Sequence, residues 1–424
     1  MSQTRLFDKI DESKSAMTRF LHDLVCIPTV VPPGSNYEDA IGLAQDQMKK
    51  IGIDCRVVDA DLKHLQESGI QTTLLHGRRP NLIISKRWDD EGPNILLNGH
   101  IDVVPPGDGW RFPPFSATVK DNLMFGRGTS DMKGSIAAIV FALSALSQLD
   151  LQLHGSVALL ITVDEEIGGV TGLLDLVRRD LVKGDCCLVA DSSIESIKYA
   201  ANGCLRFKLV TYGKAAHSSR PWMGVNAIEK MIKVLNVLFE YSDRLSKVKS
   251  KIAVHESYGI DHLRPTMSIG VINGGLKVNV VPDKCEALID RRVIPEEKVA
   301  DEAKRVLSLV DDLKKRDPAL SVTVNYSHFH ESFESDPDSW GVKILSEAYK
   351  ETTGTAPFLG GSPGCTDGCY TSRIGIPTML LGASRAYSGG HAKDEYVDLN
   401  DVVLFSKIVA AFLKKSLSGE PSIT

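Results

Sequence analysis

Apolar and polar positions along this chain follow two rhythms. In the first half, short apolar runs are separated by stretches whose apolar residues recur three and four apart, the spacing of one helix face. Residues 39–51 have that helical spacing, and residues 132–149 are so apolar around their middle that they predict a buried helix. Residues 95–97, the β-branched run 157–163 and residues 188–190 predict strands. Strands alternating with helices predict an α/β fold, a mostly parallel sheet with helices on both faces.

Near residue 197 the rhythm changes. Residues 205–212, 280–293 and 321–326 read as strands, and 226–239 and 296–313 as amphipathic helices. After residue 332 the first style returns, with a helix over 340–352, a glycine-rich loop over 360–364, a strand over 377–381 and a helix from Asp401. At 424 residues the chain exceeds the roughly 250–300 residues one core supports. The expected organisation is an α/β domain built from residues 1–196 and 332–424, with a smaller α+β domain, residues 197–331, inserted between them.

Composition narrows the function classes. The chain is 43% hydrophobic and 24% charged, as in ordinary globular proteins. A net charge of −5 gives no basic face for nucleic acid or anionic lipid. The start, MSQTRLFDKIDESK, has no apolar core of a secretion signal. The longest apolar stretch, 136–146, is far short of the ~20 residues of a membrane span. A cytoplasmic enzyme without membrane or nucleic-acid partners is expected. The 8 cysteines form no CxxC pair and read as buried thiols.

Several apolar runs end in metal-ligand types. ILLNGHID ends in His100 and Asp102, VALLITVDEE in Asp164, Glu165 and Glu166, and CLVAD in Asp191. Near the C-terminus, TMLLGASRAYSGGH delivers His391. Taken singly, such a histidine is more often structural, and Asp131, just before a helix, more often an N-cap. Jointly they point elsewhere, because ligands bind beyond the carboxyl ends of strands in open α/β sheets. A triple acid on so apolar a strand is costly unless cations neutralise it. Two imidazoles with several carboxylates suit two divalent ions, Zn, Co or Mn. Such a pair polarises a carbonyl and acidifies water, while a nearby carboxylate moves the proton. GGSPG also fits a serine-nucleophile turn, but its flanks lack the strand and helix that motif needs.

The segment GHIDVVPPGDGWRFPPFSATVKDNLMFGRGTSDMKG resembles the core signature of the M20 metallopeptidase family, especially its acetylornithine deacetylase/succinyl-diaminopimelate desuccinylase branch. The likeness continues through VDEEIGG, GKAAHSSRPWMGVNAI, INGGLKVNVVPDKCEALIDRRVIP, GGSPGCTDGCY and HAKDEYV. It implies that His100, Asp131 and Asp191 hold one metal ion, and that Asp131, Glu166 and His391 hold the other, with Asp131 shared. It implies Glu165 as general base, Asp102 as the group orienting His100, and an inserted domain that acts as a lid and makes homodimers or higher homo-oligomers. His217 would reach a neighbouring active site to stabilise an oxyanion, and Asn279 and Arg292 would bind a substrate carboxylate. The backbone of residues 360–364, Gly361 included, would approach a small-molecule substrate, and Arg385 is a further specificity candidate. The implied activity is hydrolysis of a C–N bond, an amide such as that of an N-acyl amino acid. A deaminase of an amino-aromatic acid, such as a nitroanthranilate, and a dipeptidase or carboxypeptidase are the alternatives. Asp191 stands where the branch more often has Glu, Asn202 where it commonly has Lys, and GGSPGCTDGCY is longer than usual.

Overall fold

The computed structural model describes residues 3–63 and 74–418. In chain order the strands are β1 (Asp54–Asp59), β2 (Pro80–Arg87), β3 (Asn94–His100), β4 (Thr118–Lys120), β5 (Leu123–Phe125), β6 (Ser156–Thr162), β7 (Cys186–Val189) and β8 (Ser196–Ala201). They continue as β9 (Gly203–Tyr212), β10 (Thr266–Gly274), β11 (Lys284–Val293), β12 (Ser321–His330), β13 (Phe333–Glu334), β14 (Phe358–Ser362), β15 (Thr378–Leu380) and β16 (Tyr396–Asp398). The large sheet runs β1-β2-β6-β3-β7-β15-β8-β13, with β14 also paired to β8.

This sheet is mixed, which corrects the expectation of a mostly parallel one. Its centre, β6-β3-β7-β15, is parallel, as is the β8–β14 pair. The pairs β1–β2, β2–β6, β15–β8 and β8–β13 are antiparallel. The reason is connection length. A parallel return needs a crossover of about a dozen residues or more, whereas only residues 190–195 separate β7 from β8. The predicted helix over 132–149 forms as Gly134–Ser147, buried on all sides between the sheet and helix Leu399–Leu417.

The inserted unit is an antiparallel sheet, β10-β11-β9-β12, covered by helices Ala227–Leu245 and Val299–Arg316. Its predicted start at residue 197 falls inside β8, which belongs to the large sheet, so the crossing lies at Asn202. The strand predicted over 280–293 begins at Lys284, because Pro282 has no N–H to give a ladder. Asn226 caps the first helix of this unit, its side chain accepting from Ile228 N and Glu229 N. β10 went unpredicted: it is a largely exposed edge strand of which only Met267 and Ile269 pack on the core. The first part of the glycine-rich stretch is the strand β14 rather than loop.

Candidate metal centre

Parallel strands β3, β6 and β7 lie side by side, so the residues after their carboxyl ends share one edge. His100 ends β3 and is buried. Its Nδ1 lies 3.0 Å from the carbonyl oxygen of Asp102, which keeps the proton on Nδ1 and leaves Nε2 free for other work. The Asp102 carboxylate is 3.6 Å from the same nitrogen but accepts from Glu165 N at 3.2 Å and Glu166 N at 3.1 Å. Asp102 therefore orients His100 mainly through its backbone and fixes the acidic turn with its side chain.

The three acids after β6 have separate jobs. Asp164 is buried and structural, bound to Arg79 Nε at 2.7 Å, Tyr37 Oη at 2.7 Å and Thr171 Oγ1 at 2.5 Å. Glu165 faces the cleft, and Glu166 Oε1 meets His391 Nε2 at 3.0 Å. Asp131 is no helix cap. Its backbone is non-helical, and Lys133 precedes the helix instead. Gly128, at φ +87°, makes the turn that delivers it; a Cβ there would stand 2.6 Å from Val103 Cγ1. The Asp131 carboxylate lies between two imidazoles, Oδ1 at 3.1 Å from His100 Nε2 and Oδ2 at 3.2 Å from His391 Nε2.

The electrostatics are those of a cluster short of positive charge. Burial pushes the Glu165 carboxyl well above the usual range and raises Glu166. Burial, with Asp131 beside it, raises Asp191 to about 7. Burial would raise Asp131 too, but the two imidazoles prevail and hold it below its ordinary value. Hydrogen bonds to Asp131 and Glu166 lift His391 to about 11. Ligand atoms of His100, Asp131 and Glu166, and of His100, Glu165 and Asp191, lie within 4.8 Å of one another. Buried carboxylates so placed call for cations, and this donor set fits them.

The cleft above this edge holds about 700 Å³. Arg292 and Arg206 face it from the inserted unit, Ser362 from the end of β14, Gly364 and Cys365 from the loop after it, and Arg385 from the segment before His391. Arg292 Nε is held by Asp290 Oδ1 at 2.8 Å. Arg385 is already bound to Asp401 at 2.5 and 2.8 Å. Gly361 stands away from the cleft: a Cβ there would strike Leu263 Cδ1 at 2.6 Å, so close packing explains it, and Gly364 is the glycine at the rim. His217 and Asn279 are brought together, Ser218 N donating to the Asn279 carbonyl, but on an exposed part of the inserted unit outside the cleft.

Two groups escaped the sequence reading. Arg206 faces the cleft on the neighbouring strand, opposite Asp290 and two residues along from the partner of Arg292, a place only the β9–β11 register reveals. Glu395, fully buried, accepts from Ser130 N at 2.9 Å, Asp131 N at 3.2 Å and Arg127 Nη1 at 2.5 Å. It locks the Asp131 turn. An acid four residues after His391, with Arg127 in FGRGTSD, was the available signal.

Residues 96–415 match the sequence model of Peptidase family M20/M25/M40. The N-formyl-4-amino-5-aminomethyl-2-methylpyrimidine deformylase of Halalkalibacterium halodurans is 26% identical, over 96% of this chain and 96% of that protein. The succinyl-diaminopimelate desuccinylase of Gluconacetobacter diazotrophicus is 29% identical, over 93% of this chain and 95% of that one. The fold is shared with the solved di-peptidase Dug1p of Saccharomyces cerevisiae, with a TM-score of 0.82 at 20% identity, covering 99% of each chain. With ligand-type residues gathered on one sheet edge and a family match over most of its length, the chain belongs to peptidase family M20/M25/M40, as a metal-dependent amidohydrolase.

Proposed function

We propose that this chain hydrolyses an amide C–N bond to remove an acyl group from a small anionic molecule, using a pair of divalent cations. The observation that carries this reading is the Asp131 carboxylate set between His100 and His391 at 3.1 and 3.2 Å. That arrangement suits two cations sharing one carboxylate, with His100 and Asp191 on one side and Glu166 and His391 on the other. Mixed imidazole and carboxylate donors favour Zn, Co or Mn. When bound, such a pair polarises a carbonyl oxygen and acidifies water.

The chain's own residues do the rest. Glu165 takes the proton of the attacking water and returns it to the departing nitrogen. Burial raises its proton affinity, which suits a group that must hold a proton midway. Asp102 fixes its backbone. Arg292 presents a planar fork suited to a substrate carboxylate, and Arg206 adds positive charge beside it. The names of the two relatives describe removal of formyl and succinyl groups, which supports an acyl group as the part released.

A panel of N-formyl, N-acetyl and N-succinyl amino compounds, dipeptides and amino-aromatic acids, run on metal-loaded protein, tests the substrate class. Turnover confined to the amino-aromatic acids, with ammonia released, would replace deacylation by deamination. Glu165→Gln is expected to lower kcat about 10²–10⁴-fold with metal content unchanged; full turnover would remove Glu165 from the base role.

The same reading extends to assembly. The exposed edge strand β10 and the position of His217 outside its own chain's cleft support a homodimer in which each lid serves the other active site. Mixing inactive His217→Ala and Glu165→Gln proteins should then restore activity through hybrid dimers. A mixture that stays inactive, although subunits exchange, would place His217 outside the reaction.

A further inference from the structure

The lid sheet carries a row of three residues across its end nearest the metal centre. In the register, Arg292 of β11 is opposite Cys204 of β9, and Cys204 is opposite His330 of β12. His330 reaches that row only because β12 bulges between His328 and His330. One extra residue re-aims everything beyond it, which is what bulges beside active sites do.

The imidazole of His330 is fully buried. Its Nε2 lies 3.3 Å from Asp367 Oδ1 and 3.8 Å from Glu165 Oε1. The Asp367 contact is the hydrogen bond, and Glu165 lies just beyond that distance against the same edge of the ring. Asp367 is buried as well, and Thr162 Oγ1 lies 3.5 Å from its other oxygen. Its approach depends on Gly169, where a Cβ would stand 2.0 Å from Asp367 Oδ1. The Tyr370 ring packs at 5.5 Å on His330, and its hydroxyl donates to Gly168 O in the turn that follows Glu165.

We propose that His330 is a positioning residue for Glu165: its ring, anchored by the hydrogen bond to Asp367, sets its Nε2 edge 3.8 Å from the Glu165 carboxylate and so holds that carboxylate toward the cleft. The inference rests on the reading of Glu165 as general base. It also ties that base to the lid, because His330 ends the last lid strand while Glu165 follows a strand of the large sheet. A displacement of the lid would therefore move that ring edge away from the base.

The test uses metal-loaded full-length protein and the best substrate of the panel above. His330→Leu is expected to lower kcat about 10–100-fold, as loss of a polar group that orients a site residue does, with KM and metal content unchanged. His330→Gln, which keeps an N–H donor, should recover part of that loss. Asp367→Asn should lower kcat in the same direction and serves if His330→Leu does not fold. In a Glu165→Asp background, His330→Leu should cost less than about twofold, because residues that act through one another are not additive. Equal fold losses in both backgrounds, or loss of one metal equivalent, would overturn the proposal. If Glu165→Gln abolishes turnover while His330→Leu leaves kcat intact, the positioning role alone falls. If Glu165→Gln keeps full turnover, the base reading falls and takes this one with it.

Discussion

Two clusters of buried charge in this molecule are built on opposite terms. In the inserted unit, Arg291 is fully buried, yet its Nη2 meets Glu297 at 2.9 Å and Glu302 at 2.8 Å, and Tyr241 donates to the same Glu302 oxygen. Each charge there has its opposite within reach. At the edge of the large sheet, Asp131, Glu165, Glu166 and Asp191 gather around His100 and His391, with the carboxyls of Glu165, Glu166 and Asp191 pushed upward by burial. The first cluster closes its own charge; the second leaves negative charge for something else to close. A buried charge that is already paired is architecture, and one that is left open marks where a ligand belongs.

Metal removal breaks this contrast most directly. Dialysis against a chelator should abolish activity, and Zn, Co or Mn should restore it. The chelated protein should also melt at a lower temperature, because cations that bind only the folded state stabilise it. The Arg291 cluster supplies the control: its local hydrogen exchange should not change. Unchanged turnover in demonstrably metal-free protein would end the two-cation reading.

Glu395 belongs to both kinds of cluster, which makes its loss the next largest effect. It neutralises buried Arg127 and holds the Asp131 turn through two backbone N–H groups. Glu395→Gln should cost about 3–5 kcal/mol of stability by stranding Arg127. Metal affinity should fall about 10–100-fold as the Asp131 turn loosens. Calorimetric unfolding and metal titration read the two separately. Lost stability with intact metal affinity would reduce Glu395 to a packing role.

Arg291 and Arg292 sharpen the comparison within one strand. Alternation along β11 sends the first into the lid core and the second to the cleft. Arg291→Leu should cost about 3 kcal/mol or more without changing KM. Arg292→Lys should raise KM for an anionic substrate about 10-fold or more, through the lost fork, and leave the melting temperature near its original value. Reversed outcomes would mean that the strand faces are assigned the wrong way round.

The same pair explains what could be read from sequence. His100, Glu165, Glu166 and Asp191 were legible because parallel strands must deliver their ends to one edge, and each acid or imidazole follows an apolar run directly. Residues on the lid side depend on which strand pairs with which, and on a bulge that moves His330 by one place. RR in DRRV carries no mark of which arginine faces the cleft. Gly361 looked like a substrate-side glycine because GGSPG reads as loop, whereas β14 makes Gly361 a packing position against Leu263 and Ile252. The mixed sheet was missed because its antiparallel flanks depend on connections, not on the apolar runs themselves.

Lys198 is the smallest but most pointed test, since it is a buried cation with no carboxylate bonded to it among the described residues. Its Nζ donates to Ser193 O at 3.2 Å, Ser193 Oγ at 2.8 Å and Ser196 O at 3.2 Å, with the Tyr258 ring at 5.8 Å. Burial pushes its pKa from 10.5 down to about 7, against the pull of Glu195 and Asp191. This group closes its charge a third way, by releasing its proton. The sign follows from linkage. Between about 7 and 10.5 the unfolded chain binds more protons at this position than the folded one, so folding gains stability as pH rises through that window. Below about 7 both states carry the proton and the burial penalty is complete. Denaturant unfolding of metal-loaded protein and its Lys198→Met variant, followed from pH 7 upward, should show the native protein gaining on the variant by at most about 1.4 kcal/mol per pH unit. Parallel curves would mean that Lys198 stays charged in the fold, and that an open buried charge can be tolerated without a ligand.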